Sequence, residues 1–269
     1  MTKQRLDALL IQLNLCDSRQ QAQRLIRAGE VKVNRQIVDK PGTEIDTAAD
    51  ITIDQKPPFV SRGGEKLAKA LHIFGVEVRD RICLDGGIST GGFTDCLLQK
   101  GAKKVYGVDV GYGQVAWTLR QDERVVLKER TNFRYLTAED LYEGGERADL
   151  GVMDLSFISL TKVLQPLKNL LIAPREVILL VKPQFEVGRV KVGKKGVVKD
   201  TKAQAGAIFQ VLATGQGLGW YYGGLIPSPI RGPAGNVEYL LRLQTIEGEA
   251  SPDLPAIEDL TARSMLEIL

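Results

Sequence analysis

An α/β architecture with a small α+β module ahead of it is the fold class that this 269-residue chain predicts. Three observations carry that prediction. A short apolar run ends in Asp85 and breaks into the turn Gly86-Gly87-Ile88-Ser89-Thr90-Gly91-Gly92 before a helix-like stretch. Beyond residue 62, apolar strand candidates alternate with helical stretches, the pattern of a mostly parallel sheet with helices on both faces. The first 55 residues hold two short helices and then small strands, and Pro57-Pro58 stiffens the segment that follows. The expected division is a module over 1–55, a linker over 56–61, a large domain over 62–247 and a helical tail over 248–269.

In the small module, Leu6, Leu9, Leu10 and Leu13 recur at helical spacing. Asp17 and Ser18 can cap a second helix, which carries Ala22, Leu25 and Ile26 on one face and ends at Gly29. Val31 and Val33 alternate with polar residues, as in a half-buried strand, and Asp50–Asp54 reads as another. Arg19, Arg24, Arg27 and Lys32 gather on the second helix and the turn after it. Such a local patch suits phosphates, and it equally suits a solvated helix face.

In the large domain, Leu67, Ala70, Leu71 and Phe74 mark a first helix, with His72 placed on its apolar side as a structural residue. Seven strand candidates follow: 81–85, 104–109, 125–128, 150–154, 177–181, 217–222 and 238–243. Helices are expected over 94–100, 115–122, 159–169 and 201–214. Ligands of such sheets bind outside the carboxyl ends of the strands. Asp85, Asp109 and Asp154 all stand at such ends, which places three carboxylates along one edge.

Composition narrows the class. Hydrophobic residues make up 43% of the chain, enough for a sizeable core, and the formal charge is only +3. Cys16, Cys83 and Cys96 are odd in number and far apart, which argues against a disulfide scaffold or a zinc site. No signal peptide is evident in MTKQRLDALL, and runs such as Val177–Val181 are far shorter than a membrane span. A soluble cytoplasmic protein is the expectation.

The glycine turn carries the chemistry. A strand that turns on glycine into a helix lets backbone approach a ligand and aims free N–H groups at it. The spacing is not the G-x-G-x-x-G of a simple dinucleotide site; it is similar to the first motif of methyltransferases that use S-adenosylmethionine. By that resemblance the cofactor is S-adenosylmethionine, held by Asp85, Gly86, Gly87, Ser89, Thr90, Gly91, Gly92 and Phe93, with Asp154 nearby. Asp109, at the end of the next strand, is placed to accept hydrogen bonds from ribose hydroxyls or to cap the following helix. Asn132 and Phe133 follow the third strand and can bracket an adenine ring, or serve only as loop residues.

Two lysines and two acids stand at suggestive places: Lys66 in the first helix, Asp154 and Lys182 at strand tips, and Glu238 in Gly235-Asn236-Val237-Glu238. Their order and contexts resemble the Lys-Asp-Lys-Glu tetrad of FtsJ-like ribose 2′-O-methyltransferases. The runs Arg5-Leu6-Asp7, Ser18-Arg19-Gln20-Gln21-Ala22 and Ile26–Asn34 resemble the S4 RNA-binding domain. Together they resemble the TlyA (hemolysin-A-like) family, which joins an S4 domain to a Rossmann-like FtsJ methyltransferase domain. The resemblance implies catalysis by the tetrad on a cytidine 2′-oxygen of ribosomal RNA. It implies RNA contacts through Arg5, Arg19, Arg24, Arg27 and Lys32, with Arg62, Lys194 and Lys195 in the large domain. Lys194 and Lys195 sit in a stretch, 189–202, holding six cations and one acid, which fits an RNA-facing loop or an ordinary surface loop. Phe157 and Phe185 can stack a splayed base or pack in the core. Two departures stand out: Arg35 where the S4 pattern often has Gly, and Ile88 where the family commonly has a small residue, which is expected to alter cofactor affinity. A non-catalytic RNA-binding or ribosome-assembly protein is the competing reading, and a pore-forming haemolysin finds no supporting segment.

Overall fold

The computed structural model describes the chain except for residues 1, 2, 17, 54–56, 189–191, 194, 249, 268 and 269. The chain divides into two compact units, Met1–Pro58 and Phe59–Leu269.

The small unit runs β1 (Lys3–Arg5), α1 (Leu6–Gln12), α2 (Arg19–Arg27), β2 (Val31–Val33), β3 (Gln36–Ile37), β4 (Glu44–Asp46) and β5 (Ile51–Ile53). Leu6, Leu10, Ala22, Ile26 and Val31 are wholly buried and form its core. Leu13, the last of the expected stripe, is 43% exposed because α1 ends one residue before it. Ser18 caps α2, its Oγ accepting from the Gln21 amide at 3.2 Å, while Asp17 lies outside the described residues. The sequence reading missed β1 and β4, which pair antiparallel, and β3, which pairs with β2. These strands are two or three residues long, too short to show a period.

The large unit runs α3 (Gly63–Ile73), β6 (Ile82–Gly86), α4 (Gly92–Gln99), β7 (Lys104–Val108), α5 (Trp117–Arg120), β8 (Val125–Lys128), α6 (Ala138–Tyr142) and β9 (Leu150–Met153). It continues through α7 (Leu164–Leu170), β10 (Glu176–Val181), α8 (Pro183–Glu186), α9 (Thr201–Gly217), β11 (Tyr221–Pro227), β12 (Tyr239–Gln244) and α10 (Leu254–Glu267). The seven strands lie in the order β11-β12-β10-β9-β6-β7-β8; β12 runs antiparallel to both neighbours, while the pairs from β10 to β8 are parallel. Both faces are covered, so the central strands are largely apolar, with Asp85 of β6 the buried exception. In β10, Val177, Leu179 and Val181 feed one core, and Ile178 and Leu180 feed the other. Chain order reverses at β6, whose neighbours are β7 and β9, and that opens a crevice at the carboxyl ends.

Several boundaries differ from the sequence reading. The strand expected over 217–222 begins at Tyr221, because α9 continues to Gly217. The helix expected over 115–122 shrinks to Trp117–Arg120, and that over 159–169 splits into a 3-10 turn, Leu160–Lys162, and α7. Phe59 and Val60, expected in the linker, pack on the large unit's core, and the Val60 amide donates to Asp95 Oδ2 at 2.8 Å. The C-terminal segment is no loose tail: α10 buries Ile257, and Thr261 Oγ1 donates to the Thr201 carbonyl at 3.0 Å. His72 is exposed, since α3 buries positions 64, 66, 67, 70 and 71. Cys16, Cys83 and Cys96 are all buried. Among the described residues no helix is long and apolar enough to cross a membrane.

Candidate functional site

The glycine turn after β6 forms the floor of the crevice. Gly87 has a φ of 84°, and a Cβ there would lie 2.6 Å from the Asp154 carbonyl oxygen. Only glycine allows that approach. The Asp154 amide in turn donates to the Gly86 carbonyl at 3.0 Å, so the turn and the loop after β9 are tied together. Asp109 sits at the rim, its carboxylate accepting from the Ser89 amide at 2.8 Å and the Gly111 amide at 2.7 Å. Asp85 lies beneath, wholly buried. Thr94 Oγ1 donates to its Oδ2 at 2.7 Å, whereas Oδ1 has no hydrogen-bond partner among the described residues. Burial pushes this carboxyl up to about 7, against the Thr94 hydrogen bond.

Two cavities meet at this floor. The larger, of about 720 Å³, is lined by Gly87, Ser89, Asp109, Asn132, Phe133 and Asp154, among others. Its size suits a nucleoside-bearing ligand. Asn132 Oδ1 accepts from the Arg134 amide at 3.2 Å, which fixes its side chain, and Phe133 is a core residue whose edge reaches the cavity. A carboxylate at the second strand end, backbone at a glycine bend and an aromatic edge are the donor set that holds an adenosine and its amino-acid tail. These residues therefore fit S-adenosylmethionine.

The smaller cavity, of about 220 Å³, shares Gly87, Ser89 and Asp154 and reaches Arg62, Lys66 and Arg231. Lys66 projects from the buried face of α3, and its Nζ lies 2.6 Å from Glu238 Oε2, both side chains nearly inaccessible. Gly232 makes room for that carboxylate: a Cβ there would lie 2.4 Å from Glu238 Oε1. Lys182 Nζ lies 2.6 Å from Asp154 Oδ1, off the hydrogen-bond direction, and donates to Ser156 Oγ at 2.9 Å. Gln184 Nε2 reaches Glu238 Oε1 at 3.4 Å. One member of each ion pair lines a cavity, Lys66 the smaller and Asp154 both, while their partners Glu238 and Lys182 stand behind them and line neither.

The structure sorts the remaining expected residues. Thr90, Gly92 and Phe93 line the smaller cavity, while Asp85, Gly86 and Gly91 line neither. Ile88 is 3% exposed with Cδ1 directed at Gly107; it lines the smaller cavity and not the larger. Phe157, far from packing in the core, is 91% exposed, and its ring centroid lies 5.0 Å from that of Phe185. In the small unit, the buried Asp7 carboxylate holds Arg5 through two hydrogen bonds, at 3.1 and 2.9 Å, and Arg19 Nε at 3.1 Å. Arg5 and Arg19 are thus engaged by Asp7 while their side chains remain 50% and 56% exposed, and Arg24 and Arg27 line the outer groove of α2. Lys32 is half-buried in mid-strand, Arg62 and Lys195 are exposed, and Lys194, Arg189 and Lys191 lie outside the described residues. The sequence reading missed Ser156, Glu186 and Arg231. The first two follow Asp154 and Lys182 within four residues, a proximity that could have flagged them; Arg231 gives no such signal.

A family model described as FtsJ-like methyltransferase matches residues 59–245, and one described as S4 domain matches residues 4–51. Over 258 residues the chain is 49% identical to YqxC of Bacillus subtilis, provisionally named an rRNA methyltransferase, covering 95% of this chain and 91% of that one. It is 46% identical over 265 residues to the 16S/23S rRNA (cytidine-2'-O)-methyltransferase TlyA of Mycobacterium tuberculosis, covering 98% and 97%. A solved structure from Streptococcus thermophilus, provisionally described as a hemolysin, matches with a TM-score of 0.74 at 41% identity, covering 99% of this chain and 97% of that one.

Proposed function

Because the chain belongs to the FtsJ-like methyltransferase family and carries an S4 domain, we propose that it transfers the methyl group of S-adenosylmethionine to a cytidine 2′-hydroxyl of ribosomal RNA. The observation that carries this reading is the pair of lysine–carboxylate contacts beside the two cavities, which Lys66 and Asp154 line. The bound cofactor supplies a methyl carbon already activated by its sulfonium, so alignment and the fate of one proton are what the protein must control. A ribose hydroxyl is a weak nucleophile, and a base beside it helps.

Each residue has a role in this reading. Lys182, as the neutral amine, takes the 2′-hydroxyl proton as the methyl moves; Asp154 then pairs with the ammonium so formed, and Ser156 orients the nitrogen. Lys66, neutralised by Glu238, keeps a fixed cation on the acceptor side. Asp109 holds the ribose of the cofactor, and Gly87 lets backbone approach it. Phe157, exposed beside Lys182, offers a face on which the target base stacks. Arg24 and Arg27 of the small unit meet RNA phosphates.

Lys182→Ala tests the reading. Transfer of tritiated methyl to ribosomal RNA should fall at least about a hundredfold while calorimetry still detects cofactor binding. Near-wild-type transfer by this variant would remove Lys182 from the mechanism.

A further inference from the structure

Lys182 and Asp154 project from different strand ends, and each strand continues into its own segment: 154–160 after β9 and 182–186 after β10. The chemistry proposed above needs the two segments in fixed register. One tie is the Lys182 ammonium itself, which meets Asp154 and Ser156. A second tie closes the far end. Glu186, the last residue of α8, accepts from Ser159 Oγ at 2.5 Å and from the Leu160 amide at 2.8 Å. Between the ties stands Phe157, at a φ of 65°. A bulky side chain in the left-handed region is an outlier that persists only where its surroundings over-determine it. Phe157 itself is almost fully exposed, so its own packing does not hold it there. The ties on either side do.

We propose that Glu186 is a positioning residue for methyl transfer: its carboxylate clamps the 154–160 loop to the 182–186 turn and thereby sets where Asp154 and Phe157 stand relative to Lys182. The inference rests on the reading given above. Both Glu186 oxygens are engaged by the loop, one by Ser159 Oγ and one by the Leu160 amide, so its carboxylate acts through the loop. Burial raises its carboxyl pKa, yet two donors converge on it, the arrangement of a group kept to hold a loop.

Three variants test this: Glu186→Ala, Glu186→Gln and Ser159→Ala. The measurements are kcat and RNA KM, cofactor Kd by calorimetry, and amide hydrogen exchange across residues 155–160. Glu186→Ala should lower kcat about 10- to 100-fold, the usual cost of misplacing reacting groups by an ångström or less. Cofactor Kd should stay within about twofold, and exchange across the loop should accelerate. Glutamine keeps an acceptor for the Leu160 amide and can donate to Ser159 Oγ, so it should recover most of kcat, with Ser159→Ala between the two. Wild-type kcat, or unchanged loop exchange, in Glu186→Ala would overturn the proposal. So would losses of kcat and cofactor affinity in equal proportion across the three variants, which would mark a merely structural residue. A wild-type protein that transfers no methyl group would sink the functional reading instead, and the exchange measurement would still judge the clamp.

Discussion

Lys66 and Glu238 bury opposite charges against each other at 2.6 Å, with side chains 9% and 1% exposed. Burying such a pair gains little net stability, yet removing one partner strands the other charge out of water. Glu238→Ala should therefore destabilise the large unit by about 3 kcal/mol in urea unfolding. The double variant Lys66→Met/Glu238→Leu should regain most of that loss and remain inactive, which separates stability from chemistry. Asp85 makes a different statement. Its carboxyl is raised to about 7 by burial, so the folded chain holds a proton that the unfolded chain releases near pH 4. Between those values Asp85 holds more proton in the native state than in the unfolded one, so its contribution to stability falls as pH rises from about 4 to about 7. Asp85→Asn should flatten that slope, measured as urea midpoints at pH 5 and pH 8; an unchanged slope would show that Asp85 is not its source. At this scale the sequence picked out residues that the fold brings together, and only the family resemblance, not any local pattern, suggested how they pair. Strand-tip position marked Lys182 and Asp154, but the Lys66–Glu238 pair joins residues 172 positions apart, and no local pattern encodes it.

Elements were legible where a period was long enough to read. The strands of the parallel sheet are continuous apolar runs, and each was placed to within a residue or so. The exception, β11, has an irregular register at Gly223 and Gly224 and a sequence, Tyr221–Pro227, without alternation. The hairpin joining β2 to β3 was missed because its usual signal, Asn-Gly, is absent. Asn34 and Arg35 have φ of 49° and 69°, the pattern of a two-residue turn that demands left-handed backbone at both positions. Arginine at such a position costs about 1 kcal/mol relative to glycine, partly offset by the larger freedom of glycine in the unfolded chain. Arg35→Gly should thus stabilise the small unit by about 0.5 kcal/mol, seen as a higher midpoint for its unfolding. A lower midpoint would mean that the Arg35 side chain contributes contacts that outweigh the strain.

At the scale of the whole molecule, the proposed reading gives binding to one unit and chemistry to the other, and the electrostatics of the two units differ in kind. In the large unit the decisive charges are buried in pairs, where salt screens them little. In the small unit Arg24 and Arg27 face water along α2, while Arg5 and Arg19 are held by Asp7, whose carboxyl is pulled well below its usual range chiefly by the Arg5 hydrogen bonds. This division was only half legible: four arginines looked equivalent in sequence, and the buried acid that recruits two of them shows itself only when α1 and α2 pack. It leads to a measurable asymmetry. Each phosphate neutralised contributes about 0.7 to 0.9 to the slope of log K against log salt concentration. Replacing Arg24 and Arg27 together by alanine should therefore lower the slope for ribosomal RNA binding by about 1.5, while kcat at saturating RNA and cofactor affinity stay unchanged. Arg19→Ala should instead lower the small unit's unfolding midpoint and move the salt slope less, since its guanidinium is already engaged by Asp7. If Arg19→Ala shifted the slope as much as the Arg24/Arg27 pair without loss of stability, Asp7 would have to release Arg19 when RNA arrives, and the division between bracing and binding arginines would fail.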